Sequence, residues 1–97
     1  MIFAEMSYPG DYRGIHDELV TFLSPHFDRI DSGLQGDSWI WLVANEEKVV
    51  LDTFTSMKHQ IKSEKPGQFV DNVIAILQGK YNLTVFDKPQ LESHEAT

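Results

Sequence analysis

Residues 38–44 (SWIWLVA) restrict the fold of this chain more than any other segment. Side chains of a β-strand alternate between two faces, so Trp39 and Trp41 project to one face while Ile40 and Leu42 project to the other. Apolar residues on both faces are typical of a strand in the interior of a sheet. The segment therefore predicts a central strand, both faces of which need to be covered.

A hairpin is expected to join this strand to the next apolar segment. The polar residues 45–47 supply a reversal, and residues 48–55 then have the β-branched content of a partner strand that could run on to Met57. A two- or four-residue loop places Trp41 opposite Val50 and Trp39 opposite Asp52. The register of the hairpin therefore decides which side chains share a face with the tryptophans.

In that register Phe54 joins the face of the tryptophans, and the opposite face collects aliphatic side chains that suit packing against helices. A loop of odd length would instead place Val49 and Leu51 beside the tryptophans. The first register predicts a sheet with one aliphatic face under helices and one aromatic face without a second layer.

Two amphipathic helices are predicted. Asp11 is suited to cap the first, whose apolar stripe is followed by Pro25, a residue that ends a helix. Residues 68–78 form the second, with a wide apolar face and Gly79 at the position where a terminal glycine is common. Both helices therefore have one face to bury against a sheet.

Three further segments have strand character. Residues 2–7 and 80–86 are expected at the two ends of the domain, and residues 27–33 form a strand that Gly33 weakens. The charged segment 58–67 is predicted to be a fraying strand end followed by a loop. The resulting order is β-α-β-β-β-α-β, an α+β two-layer sandwich with two helices on one face of a mixed, mainly antiparallel sheet.

The length of 97 residues supports a single domain, which we expect to occupy residues 1–87, with residues 88–97 as a disordered tail. The chain has no cysteine, so disulfides and Cys-ligated metals are excluded. The first residues lack the pattern of a signal peptide and no apolar run is long enough to span a membrane, which predicts a cytoplasmic location. The net charge of −7 argues against nucleic acid and anionic membranes as partners.

The aromatic face is the strongest candidate for function. Two tryptophans with their apolar neighbours would form a patch of several hundred Å², which is roughly the largest that monomers leave exposed. The sequence thus predicts a non-catalytic protein-interaction module that binds a partner protein or a second copy of itself, which would give a homodimer. The predicted partner-binding residues are Trp39, Trp41, Val50, Asp52 and Phe54.

Two alternatives remain open for this face. The tryptophans could face the helices as core, or be hidden by a curled sheet or by the tail. They could also floor a small-ligand pocket or an enzyme site with Asp52 as its polar group.

A second candidate is an anion site formed by Lys58, His59, Lys62 and Lys65, which precede the helix that begins near Gly67. The alternative is that these lysines protect an exposed strand edge from pairing with other chains.

The four histidines lack the spacing of a metal site and belong to no catalytic motif, so neither a metal nor a cofactor is predicted. We expect His16 on a solvated helix face, His26 in a loop and His94 in the tail.

Overall fold

The computed structural model describes residues 1–92 and contains six strands and two helices. In chain order these are β1 (Ile2–Ser7), α1 (Tyr12–Leu23), β2 (Arg29–Gln35), β3 (Asp37–Ala44), β4 (Glu47–Asp52), β5 (Gln60–Ser63), α2 (Gln68–Gln78) and β6 (Asn82–Gln90), with a 3-10 turn at Ser24–His26. The strands form one sheet in the order β2-β3-β4-β5-β1-β6, and neighbouring strands are antiparallel. The predicted α+β class, with helices packed on a sheet, is confirmed.

The helices begin and end at residues whose chemistry explains the boundary. The Asp11 carboxylate accepts a hydrogen bond from the backbone N–H of Arg13 (2.8 Å), which caps α1 as predicted. Gly79 follows α2, and its N–H donates to the carbonyl oxygens of Ile76 and Leu77. None of the helices within residues 1–92 is long and apolar enough to cross a membrane.

The hydrophobic core lies between the helices and one face of the sheet. Ile40 and Leu42 of β3 are fully buried there, as are Leu19 of α1 and Leu77 of α2. Each such side chain contributes about 1.5–3 kcal/mol by leaving water. The aliphatic face of the central hairpin is therefore the one under the helices, as predicted.

The β3–β4 hairpin has the even-length register. Asn45 and Glu46 form its two-residue turn with φ angles of 50° and 67°, the left-handed region that such turns require. Trp41 consequently lies opposite Val50, and Trp39 opposite Asp52. The predicted pairing is confirmed, although β4 ends at Asp52 and not at residue 55.

The prediction for residues 58–67 is wrong at its start. Residues Gln60–Ser63 form β5, which lies inside the sheet between β4 and β1. The segment looks like surface in the sequence because it is polar, yet Gln60 donates a hydrogen bond to Glu5, and Lys62 is paired with Asp52 and Glu92. Since β5 has a strand on each side, its lysine does not guard an exposed edge.

Two strands also extend further than predicted. β2 continues through Gly33 to Gln35, and β6 continues to Gln90, beyond the expected domain boundary at residue 87. Residues 93–97 of the predicted tail, including His94, lie outside the described residues.

Candidate functional site

The sheet face turned away from the helices, called the open face below, contains most of the predicted partner-binding residues. Strand pairing places side chains on it in two neighbouring rows: Asp31, Trp41, Val50 and Lys62 in one, and Gly33, Trp39, Asp52 and Gln60 in the other. The rows run from an aromatic half on β3 to a polar half on β5. The face therefore combines apolar contact area with fixed charges.

The two tryptophans form a packed pair. Their ring centroids are 4.9 Å apart with the planes inclined at 45°, and the Trp41 side chain remains 37% exposed. The Lys48 ammonium lies 4.3 Å from the centroid of the Trp41 ring, a cation–π contact. The outer ring of the pair is thus presented to solvent from a central strand.

Gly33 accounts for the position of Trp39. A Cβ atom at Gly33 would lie 2.5 Å from three atoms of the Trp39 indole ring, so the ring lies directly over the glycine backbone of β2. The sequence suggests that Gly33 weakens the strand, whereas the structure shows that the missing side chain makes room for an aromatic one. The tryptophan pair is therefore held in one place by its neighbouring strand.

Of the predicted partner-binding residues, Trp41 and Phe54 are exposed, Trp39 and Val50 are half-buried, and Asp52 is buried. The tryptophans lie opposite the helices and outside the core cluster, so they do not pack beneath the helices. Exposure of Trp41 leaves an apolar surface on the open face, and the exposed Phe54 ring, beyond the end of β4, has its centroid 5.9 Å from the Lys62 ammonium.

Asp52 belongs to a charge cluster in the polar half of the open face. The Lys62 ammonium donates to Asp52 Oδ1 (2.6 Å) and to Glu92 Oε2 (3.0 Å), and the side chains of the lysine and Asp52 are only 7% and 5% exposed. Removing one member of such a buried pair costs about 3–5 kcal/mol because it leaves a charge without compensation. The cluster therefore holds in place the part of the open face that lies beside the tryptophans.

A cavity of about 530 Å³ opens next to this cluster. Its walls include Val50, Asp52 and Lys62 from the open face and Phe69 from α2. Neither Trp39 nor Trp41 lines this cavity.

Only two of the four residues predicted to bind an anion, Lys62 and Lys65, line a common cavity. The Lys58 ammonium donates to the carbonyl oxygens of Tyr8 (2.6 Å) and Gly10 (2.7 Å), and the Lys65 ammonium lies 3.7 Å from a Glu47 carboxylate oxygen. His59 is fully buried, and Lys62 is in the charge cluster. Lys62 and Lys65 nevertheless both line the cavity of about 530 Å³, together with Gly67 at the start of α2, whereas Lys58 and His59 do not.

Two of the histidines belong instead to a buried hydrogen-bonded chain. The Tyr8 hydroxyl is bonded to His59 Nδ1 (2.8 Å), His59 Nε2 to Ser38 Oγ (2.7 Å), and Ser38 Oγ to His16 Nδ1 (2.6 Å). His16 is only 5% exposed, so the prediction that it faces solvent is wrong. It lies on the sheet-facing side of α1, where the Ser38 hydroxyl satisfies it.

The buried chain has an unusual composition, a serine between two histidines, but Ser38 has no exposed surface that a substrate could reach. Burial, and secondly the nearby His16, lowers the pKa of His59 to about 4. His59 is therefore neutral at pH 7 and acts as a hydrogen-bonding core residue. Residues 1–92 contain no group of three or more His, Cys, Asp or Glu side chains placed to hold a metal ion.

Comparison of the chain with protein-family models, with curated proteins and with solved structures finds no match.

Proposed function

We propose that this protein is a non-catalytic interaction module whose open face binds another protein. The observation that carries the proposal is the Trp39–Trp41 pair, held over Gly33 on a central strand with Trp41 exposed to solvent. Large aromatic side chains fixed before binding are the residues that anchor protein interfaces, because little conformational entropy is lost when they are covered.

Charge indicates the kind of partner. The chain has a net charge of −7, and on the open face Lys62 is paired with two carboxylates, Asp52 and Glu92, so this cluster has one negative charge in excess. A partner with an apolar patch and surrounding basic side chains would be attracted to the acidic remainder of the surface. Such a complex should associate faster at low salt, and its affinity should fall as salt increases.

A small-ligand site or an enzyme is the second candidate, because a cavity adjoins Val50 and Lys62. The charge of Lys62 is already compensated by two carboxylates, and the indole rings of Trp39 and Trp41 do not line this cavity. These observations favour the interaction module. The cytoplasmic location expected from the sequence stays a prediction.

In the test, the wild type and the Trp41→Ser variant are each used to capture proteins from a cell extract. Each captured protein is then purified, and its affinity for both forms is measured by calorimetric titration. Truncating a central aromatic anchor costs at least about 2 kcal/mol of binding free energy, or roughly a 30-fold loss of affinity. Val85→Ser is the matched control because Val85 is also a strand residue, 45% exposed, and its pairing with Ala4 places it on the other face of the sheet.

We expect one basic protein that binds the wild type and the Val85→Ser variant but binds Trp41→Ser roughly 30-fold more weakly. Urea melts of the same samples should show that Trp41→Ser remains folded. Equal affinity of all three proteins for every captured partner would contradict the proposal, as would unfolding of Trp41→Ser.

A further inference from the structure

The two edges of the sheet formed by residues 1–92 differ in how well they are protected from pairing with another strand. On one edge, β6 contains Lys88 and Pro89, and its pairing with β1 shifts register between Ile2 and Ala4. Lysine, proline and irregular pairing are the usual devices that prevent a further strand from joining an edge. The β6 edge is therefore blocked.

The β2 edge has none of these devices. Its seven residues pair with β3 in one unbroken register from Arg29 to Gln35, and the segment contains neither lysine nor proline. Leu34, near its end, is 40% exposed. A regular edge strand with an exposed leucine is a template for a further strand.

We infer that β2 is the surface through which two copies of this chain associate, by antiparallel pairing of their β2 strands into one continuous sheet. A symmetric pair centred on Ser32 uses all seven residues of each strand. It places Ile30 of each copy opposite Leu34 of the other, which covers the exposed leucine. The inference does not depend on the function proposed for the open face.

The charges of β2 favour a second copy in this register. Arg29 lies opposite Gln35, and Asp31 opposite Gly33, so no like charges face each other across the pair. A centre at Asp31 would set two carboxylates against each other. The strand carries one positive and one negative residue, so β2 has no net charge. The chain as a whole has a net charge of −7, so the rest of its surface repels a second copy.

The strength of the association follows from size and charge. An edge contact of seven residues per copy belongs to the small class of interfaces, below about 1,200 Å², which associate weakly. Repulsion between the two acidic chains opposes the contact and is screened by salt. The dimer should therefore be weak and should tighten as salt increases, opposite to the salt dependence expected for a basic partner on the open face.

The experiment is sedimentation equilibrium of the full chain up to about 1 mM, a concentration at which weak contacts of this class are populated. The wild-type mass should rise from monomer towards dimer, more steeply in high salt. Ser32→Lys places two ammonium groups opposite each other at the centre of the pair and should weaken association at least tenfold. The matched control, Thr84→Lys on the blocked β6 edge, should associate like the wild type.

Circular dichroism establishes that each variant is folded. If Ser32→Lys does not fold, hydrogen exchange of the wild type replaces it, and β2 amides should become slower to exchange with rising concentration while β6 amides do not. A wild type that stays monomeric throughout, or a folded Ser32→Lys that dimerises like the wild type, overturns the inference. Trp41→Ser should still dimerise, and its failure to do so would move self-association to the open face and overturn the edge pairing.

Discussion

Acid should destabilise this protein through His59. The side chain is fully buried between Tyr8 and Ser38, and burial lowers its pKa to about 4 from an ordinary value of 6.5. An unfolded chain binds a proton at this histidine below about pH 6.5, whereas the folded chain does so only near pH 4. The unfolded state therefore binds more protons between these values, and stability falls as pH falls through this window.

The magnitude follows from the difference in pKa. A separation of about 2.5 units corresponds to roughly 3 kcal/mol of unfolding free energy, of which most is lost by pH 4.5. Urea unfolding at about pH 7.0, 5.5 and 4.5 measures this loss of unfolding free energy. The stability of each protein at the two lower pH values is compared with its own stability at pH 7. His59→Gln should flatten the dependence, since glutamine does not titrate, and His26→Gln at an exposed histidine is the matched control variant.

The reasoning would be refuted if the wild type and a folded His59→Gln lost stability in parallel. Should His59→Gln not fold, the proton resonances of the His59 ring in the wild type provide the same test. They should stay constant from about pH 7.5 to pH 5, and a midpoint near 6.5 would contradict the account.

Three other changes have expected outcomes. Gly33→Ala should displace the Trp39 ring, because the added Cβ would lie 2.5 Å from the indole. The displacement should lower the unfolding free energy by about 1–3 kcal/mol and shift the tryptophan fluorescence; unchanged fluorescence would contradict this. Glu46→Gly should raise stability by up to about 1 kcal/mol, since the φ angle of 67° suits glycine better, and a thermal melt that shows no gain would count against it. Lys62→Met should lower the unfolding free energy by about 3–5 kcal/mol, because it leaves Asp52 buried without its partner. A double variant that also replaces Asp52 with leucine should recover part of that loss, as measured by urea melts.

The parts of the fold that the sequence predicts correctly are those that local periodicity determines. The alternation of Trp39, Ile40, Trp41 and Leu42 and the short turn after Ala44 favour the hairpin register and the helix-facing side that the structure has, although the sequence leaves both alternatives open and the structure selects between them. These features depend only on residues that are close together in the chain, so they can be predicted without a structure.

Other features depend on contacts between residues far apart in the sequence. β5 looks like a surface loop because Lys62 is charged, and only its pairing with Asp52 and Glu92 allows its burial. His16 and Ser38 are 22 positions apart, so no local spacing reveals the hydrogen-bonded chain between them. The sequence carries one signal of this hydrogen-bonded chain: polar residues, such as Ser38, lie on the strand face that is expected to pack against the helices.

The central claim is that the open face around Trp41 is a binding surface. The most direct measurement replaces Trp41 with a photo-crosslinking phenylalanine derivative in the full chain inside living cells, with the same substitution at Val85 as the control. The account predicts a covalent adduct with a basic protein from position 41 and no such adduct from position 85. Equal adducts at both positions, or none at position 41 while the protein remains folded, would contradict it.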